Sequence, residues 1–158
     1  MPPEFTHLKE DGSATMVDIG GKDVSRRIAR AGCSVILNPL AFDLLRRKAL
    51  PKGDALAAAK TAGIMAAKRT ADLIPFCHNL ELDFVDLSFT LDPEGSSIHL
   101  QSEVRVSGRS GAEMEALCAV QIAALTLYDM CKAVQKDIRI VNCRLLHKSG
   151  GRGGEYNV

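Results

Sequence analysis

Tryptophan is absent from the 158 residues, and aromatic side chains make up only 4% of them. A chain so poor in rings offers no stacking platforms for nucleic-acid bases. A charge excess of either sign is also missing: 20 Lys and Arg stand against 19 Asp and Glu, a formal net charge of +1. Nothing global can neutralise a phosphate backbone, so no nucleic-acid partner is expected and any anion site must be local. The five cysteines, Cys33, Cys77, Cys118, Cys131 and Cys143, contain no Cys-x-x-Cys pair. Their odd number and scattered spacing argue against a disulfide framework and a structural zinc site. No apolar run approaches the ~20 residues that cross a bilayer. The opening "MPPEFTHLKEDGSATM" has neither a basic n-region nor an apolar h-region, so a cytoplasmic protein with no membrane partner is expected.

What is present is 46% hydrophobic and 25% charged, over a length suited to one domain with a real core. Residues 1–15 are polar and broken by Pro2, Pro3 and Gly12, which reads as a flexible arm. Residues 16–148 hold the periodic segments, and the glycine-rich "SGGRGGEYNV" at 149–158 reads as a tail. Within Asp23 to Leu37 the first half suits a helix, while Ala29, Ala31, Cys33, Val35 and Leu37 alternate as a strand does; strand is the favoured reading. A short helix follows Pro39, and Asp54 is the expected N-cap of an alanine-rich helix running to Ile74. Next come two alternating segments, "ELDFVDLSFTL" with a slip at Val85 and Asp86 that suggests a bulge, and "SIHLQSEVRV". The turn-rich "DPEGSS" joins them as a hairpin. A helix from Ala112 and a strand from Asp137 to Lys148 complete a β-α-β-β-α-β order. That order predicts an α+β, ferredoxin-like sandwich with an antiparallel sheet packed on helices.

The helix "AEMEALCAVQIAALTLYDMCKAV" raises the question of function. At 100° per residue Glu115, Cys118, Ile122 and Asp129 fall within about 60° of one another, so an acid sits at each end of an apolar stripe. A rise of 1.5 Å per residue puts those acids roughly 21 Å apart, too far for one reacting centre within one chain. If both are catalytic, two chains share a site. Glu113 and Glu115 at the start, and Lys132 at the end, also complement the helix dipole. Asp129 fits that structural reading poorly, and Lys132 three residues on is its natural ion-pair partner.

In "LIPFCHNLEL" a Cys-His pair lies in a loop. His78 there suits acid–base work, metal binding or phosphate binding, against the commoner role of a hydrogen-bonded structural histidine. Nothing adjacent lowers the pKa of Cys77, which reads as pocket wall. Lys52 stands just ahead of a helix start, where free N–H groups favour anions, although a solvated turn lysine is the simpler reading. Lys68 and Arg69 suit the negative end of their helix. "HKSGGRGG" places Lys148 and Arg152 among four glycines that can wrap a phosphate, but lacks the order of a P-loop, so a flexible tail competes.

The blocks "KGDALAAAKTAGIMAAKRTADLIPFCHNLEL", "GAEMEAL", "LYDMCKAVQKD" and "RLLHKSGG", in this order, resemble the molybdenum cofactor biosynthesis protein C family from Met16 to the glycine tail. The resemblance implies conversion of 3′,8-cyclo-7,8-dihydroguanosine 5′-triphosphate to cyclic pyranopterin monophosphate and pyrophosphate. It also implies a ferredoxin-like homohexamer, a trimer of dimers with active sites at dimer interfaces. By motif matching, Asp129, Lys52, Lys132 and His78 fall on the family's catalytic positions. Phe76, Cys77, His78, Glu113, Met114 and Glu115 fall on its substrate contacts, and Lys68 and Arg69 on its cationic wall. Two departures from the family's usual wording are Ala71, where a Trp is common, and Asn79, where a Pro is. No metal ligand or resident cofactor is expected; Mg2+ is compatible with a triphosphate but not required by the sequence. Crowded by other cations, Lys52 and Lys132 are expected to have lowered pKa values and to serve as acid and base.

Overall fold

Alternation decides the first element against the helical option. β1 (Ser25–Ile36) is a strand throughout, and its buried side chains Ala29, Ala31, Cys33 and Val35 face the core. The computed structural model describes residues 7–158. Within the expected arm, residues 1–6 lie outside the described residues, and Leu8 and Ala14 form an isolated antiparallel bridge.

Asn38 caps α1 (Pro39–Arg46), its side chain accepting from the Ala41 N–H at 2.8 Å, with Pro39 at the start, where a missing N–H costs nothing. Gly53, at φ 94°, turns the chain into Asp54, whose side chain accepts from Ala57 N and caps α2 (Ala55–Ala67) as expected. The helix ends earlier than Ile74. The hydroxyl of Thr70 bonds back to the carbonyls of Ala66 and Ala67, the backbone opens at Arg69, and a separate turn, α3 (Thr70–Leu73), follows.

β2 (Leu82–Asp92) and β3 (Ser97–Gly108) form the expected hairpin. The bulge lies at Asp83, not at Val85 and Asp86: Leu82 pairs with Val106 and Phe84 with Arg105, leaving Asp83 extra, its carboxylate accepting from Ser107 Oγ at 2.8 Å. The apparent slip arises because Phe84 faces outward, where the Arg105 guanidinium covers its ring at 4.6 Å. α4 (Glu113–Cys131) then crosses the sheet, and β4 (Arg139–Ser149) and β5 (Tyr156–Asn157) complete it.

The sheet order is β2-β3-β1-β4-β5, with every neighbouring pair antiparallel. This is the α+β arrangement anticipated, extended by β5, with which the tail pairs back onto β4 at His147 and Lys148. α2 and α4 pack together on one face of the sheet. Their approach depends on Gly63: a Cβ there would meet Leu87 Cδ2 at 2.7 Å and the Ala119 carbonyl at 2.8 Å. Ala59, Ala66, Ala116, Ala119 and Ala123, all buried, extend that small-residue seam. By its length of 19 residues and its apolar composition, α4 alone among the described helices could match a membrane span. Half of it is buried inside the protein against α2 and the sheet, which accounts for that composition.

Candidate active site

α4 starts without a side-chain cap, because Ala112 has none to offer. A cavity of about 930 Å³ lies at this end of the helix, and its wall includes His78, Glu113, Met114 and Glu115, with Phe76 and Cys77 beside them. Glu115 is only 4% exposed. Burial, with a smaller push from the charge of Glu113 and against the pull of its own backbone N–H, raises its carboxyl to about 7. Glu113 is tied instead to Lys148, Nζ to Oε1 at 3.0 Å, and folds back over Gly111, where any side chain would collide with its carboxylate. His78 Nε2 donates to the Val17 carbonyl at 2.8 Å, which commits the proton to Nε2. Burial first, then the charge of Glu115, raises the Cys77 thiol, so it is wall rather than nucleophile.

At the far end of the same helix the arrangement is opposite in kind. Asp129 lies between two ammonium groups, Lys52 Nζ at 2.6 Å from Oδ2 and Lys132 Nζ at 2.7 Å from Oδ1, and all three side chains are about half exposed. The hydrogen bond from Lys132, then that from Lys52, holds its carboxyl down at about 2. The expectation of a lowered Lys132 is overturned: Asp129 raises it, because the nearest charge is an anion and not another cation. The carboxyl is thus an anion at neutral pH, held between two cations.

The fold thus gathers the expected residues into two groups, one at each end of α4. Lys68 and Arg69 are exposed at the end of α2 and are not part of the cavity wall. Among the described residues no three His, Cys, Asp or Glu side chains gather as a metal would require.

The stretch before β1, not among the residues expected at the site, also contributes to it. Val17 and Ile19 line the cavity, and Lys22 stands where it meets a second one with Arg27 and Arg109. The cue is present in basic residues abutting glycines, "GK" at 21–22 and "RSG" at 109–111, the same pattern noted for Lys148 and Arg152.

A model of the MoaC family matches residues 16–151. A protein of Oleidesulfovibrio alaskensis named cyclic pyranopterin monophosphate synthase is 53% identical over 158 residues, which span 100% of this chain and 99% of that protein. Its namesake in Nitratidesulfovibrio vulgaris is 54% identical over 154 residues, 98% of this chain and 96% of its own length. One in Chloroflexus aggregans is 50% identical over 153 residues, 97% and 93% of the two chains.

Proposed function

Because the chain belongs to the MoaC family, we propose that it is an enzyme of molybdenum cofactor biosynthesis that performs the reaction its relatives are named for. It converts (8S)-3′,8-cyclo-7,8-dihydroguanosine 5′-triphosphate to cyclic pyranopterin monophosphate and releases pyrophosphate, as a phosphorus–oxygen lyase. The observation that carries the reading is a buried acid poised near neutrality in a large cavity beside His78, on the same helix as the Lys52–Asp129–Lys132 cluster.

In this reading the guanine-derived ring enters the cavity between Phe76, Cys77 and Met114, and its N–H donors meet Glu113 and Glu115. With a pKa of about 7, Glu115 gives and takes protons at ring nitrogens as the ring rearranges. Closing the cyclic phosphate forms a bond from a ribose oxygen to the α-phosphorus and breaks the bond to the bridging oxygen, whose electron pair leaves with pyrophosphate. His78, with Nε2 committed to Val17, offers Nδ1 for the hydroxyl proton. Lys52 and Lys132, aimed by Asp129, neutralise charge that grows in the transition state. Lys68 and Arg69 act at longer range by raising the local potential.

The two clusters lie roughly 21 Å apart along α4, so the complete site takes one from each of two protomers. The assembly that supplies it is a homohexamer, a trimer of dimers, and the cytoplasm is where it works. No resident cofactor is part of this reading; Mg2+ enters as the companion of the triphosphate. Anaerobic incubation with the cyclised guanosine triphosphate tests it, with one pyrophosphate expected per pterin product. Folded protein that binds the substrate and releases nothing would leave a binding domain in place of an enzyme.

A further inference from the structure

The N-terminal segment reaches the large cavity at the start of α4. His7, Val17 and Ile19 contribute to its wall together with Phe76, Cys77 and His78.

Local chemistry folds residues 7–15 into a small hairpin. Thr15 N donates to the His7 carbonyl at 2.8 Å and Lys9 N to the Ser13 carbonyl at 2.9 Å, with Leu8 and Ala14 bridged between them. Asp11 Oδ1 accepts from Ser13 N at 2.8 Å, and Gly12, at φ 79°, supplies the left-handed residue of the turn. At the open end the His7 ring closes the hairpin, Nδ1 donating to the Thr15 carbonyl at 3.1 Å.

So short a hairpin is marginal in water by itself. Residues 7–14 are all exposed, so burial of its own side chains does not hold it in place. Its contact is Phe76: the ring centroids of His7 and Phe76 lie 6.1 Å apart, with the planes tilted by 36°. Among the described residues Phe76 is the one Phe, Tyr or Trp in the cavity wall, and it is 43% exposed. An apolar ring so open to water gains from a cover, and a second ring at this distance supplies one. Past the hairpin the chain is tied down. The Val17 carbonyl accepts from His78 Nε2 at 2.8 Å, and the Lys22 carbonyl from Arg109 Nε at 2.9 Å. A weakly held hairpin thus leads into a fastened strip of cavity wall, and it can lift without disturbing that strip.

We infer that the hairpin at residues 7–15 roofs the cavity and that His7 is a positioning residue, holding Phe76 in place for the planar ring of the substrate. The inference rests on the proposed reaction for the ring that is covered, but not for the roof itself. Substrate enters when the hairpin lifts. With the hairpin down, Phe76 keeps one orientation and the bound ring is shielded from water.

Cys77 reports on the roof without any substrate, because its thiol lies in the same wall beside Phe76. Exposed Cys143, on β4, serves as the internal reference, while Cys33, Cys118 and Cys131 are buried. The full-length protein is labelled with N-ethylmaleimide, and the rate at each cysteine is followed by peptide mass spectrometry. His7→Ala, which removes the ring contact, and Gly12→Val, which strains the turn, are expected to speed labelling of Cys77 by about three- to tenfold relative to Cys143. Both positions are exposed, so the core is kept. His7→Phe retains a ring over Phe76 and should label at close to the unaltered rate. In turnover of the cyclised nucleotide, His7→Ala is expected to raise KM about fivefold with kcat within about twofold, and His7→Phe to restore KM. Unchanged labelling of Cys77 in both His7→Ala and Gly12→Val overturns the inference. Faster labelling with an unchanged KM also overturns it, because the hairpin would then shield the thiol and not the substrate. Faster labelling in the variants of a protein whose unaltered form makes no pterin product keeps the roof and loses the proposed reaction.

Discussion

The two ends of α4 carry the same kind of side chain and treat it in opposite ways. At the N-terminal end Glu115 is buried with no cation paired to it among the described residues, and its carboxyl rises to about 7. At the C-terminal end Asp129 stands in solvent between two lysines and falls to about 2. One acid is made exchangeable and the other permanent. Where desolvation outweighs pairing, a carboxyl becomes a proton carrier; where pairing outweighs desolvation, it becomes an electrostatic brace. The proposed reaction moves protons on a ring while stabilising charge on a phosphate, and the two ends of this helix, roughly 21 Å apart, offer one carboxyl of each kind.

The contrast breaks most severely if the brace is removed. Asp129→Asn keeps the shape but leaves Lys52 and Lys132 unaimed, and pyrophosphate release is expected to fall by about 10³-fold, with the melting temperature nearly unchanged because the residue is exposed. Turnover within a few-fold of the unaltered protein would reduce the cluster to a surface ion pair.

Glu115→Gln is expected to lower the rate by about 10²-fold and to erase a limb of the pH–rate profile near 7. It also has a stability signature. Between the unfolded pKa near 4.5 and the folded value of about 7 the unfolded chain releases its proton first, so rising pH destabilises the native state across that window, and the loss levels off above it. The loss is on the order of 3 kcal/mol. The variant lacks it, so denaturant unfolding at pH 5 and pH 8 should differ less for Glu115→Gln than for the unaltered protein.

Gly63→Ala sharpens the comparison by disturbing what holds the two ends in register. With the Ala119 backbone in the way, α2 and α4 must part, at a cost of about 1–3 kcal/mol in chemical denaturation. The smallest effect is expected of Asp54→Ala, which uncaps α2 just beyond Lys52: about 1 kcal/mol of stability and a modest loss of activity through a looser Lys52.

Much of this architecture is legible in the order of the residues alone. Period-2 alternation in β1 and β3 and the Asp54 cap locate the elements, and the helical angle between Glu115 and Asp129 points to a two-ended site. Other features depend on contacts a one-dimensional pattern does not carry. The bulge falls at Asp83 because Phe84 faces outward under Arg105, a long-range pairing. The rise of Lys132 follows from which neighbour is nearest, and the burial of Glu115 from how α4 seats on the sheet. The second, basic cavity leaves only local cues in the linear order, basic residues beside glycines, because its cations come from three separate stretches, around residues 22–27, 109 and 152.

The most direct measurement mixes two damaged proteins. Asp129→Asn and Glu115→Gln, each nearly inactive alone, are dissociated together and allowed to reassemble. If each site draws one cluster from each protomer, mixed assemblies contain some sites with neither lesion, and activity should return to as much as about a quarter of the unaltered level. A mixture as inactive as its components, in assemblies shown to have exchanged subunits, would contradict the shared site.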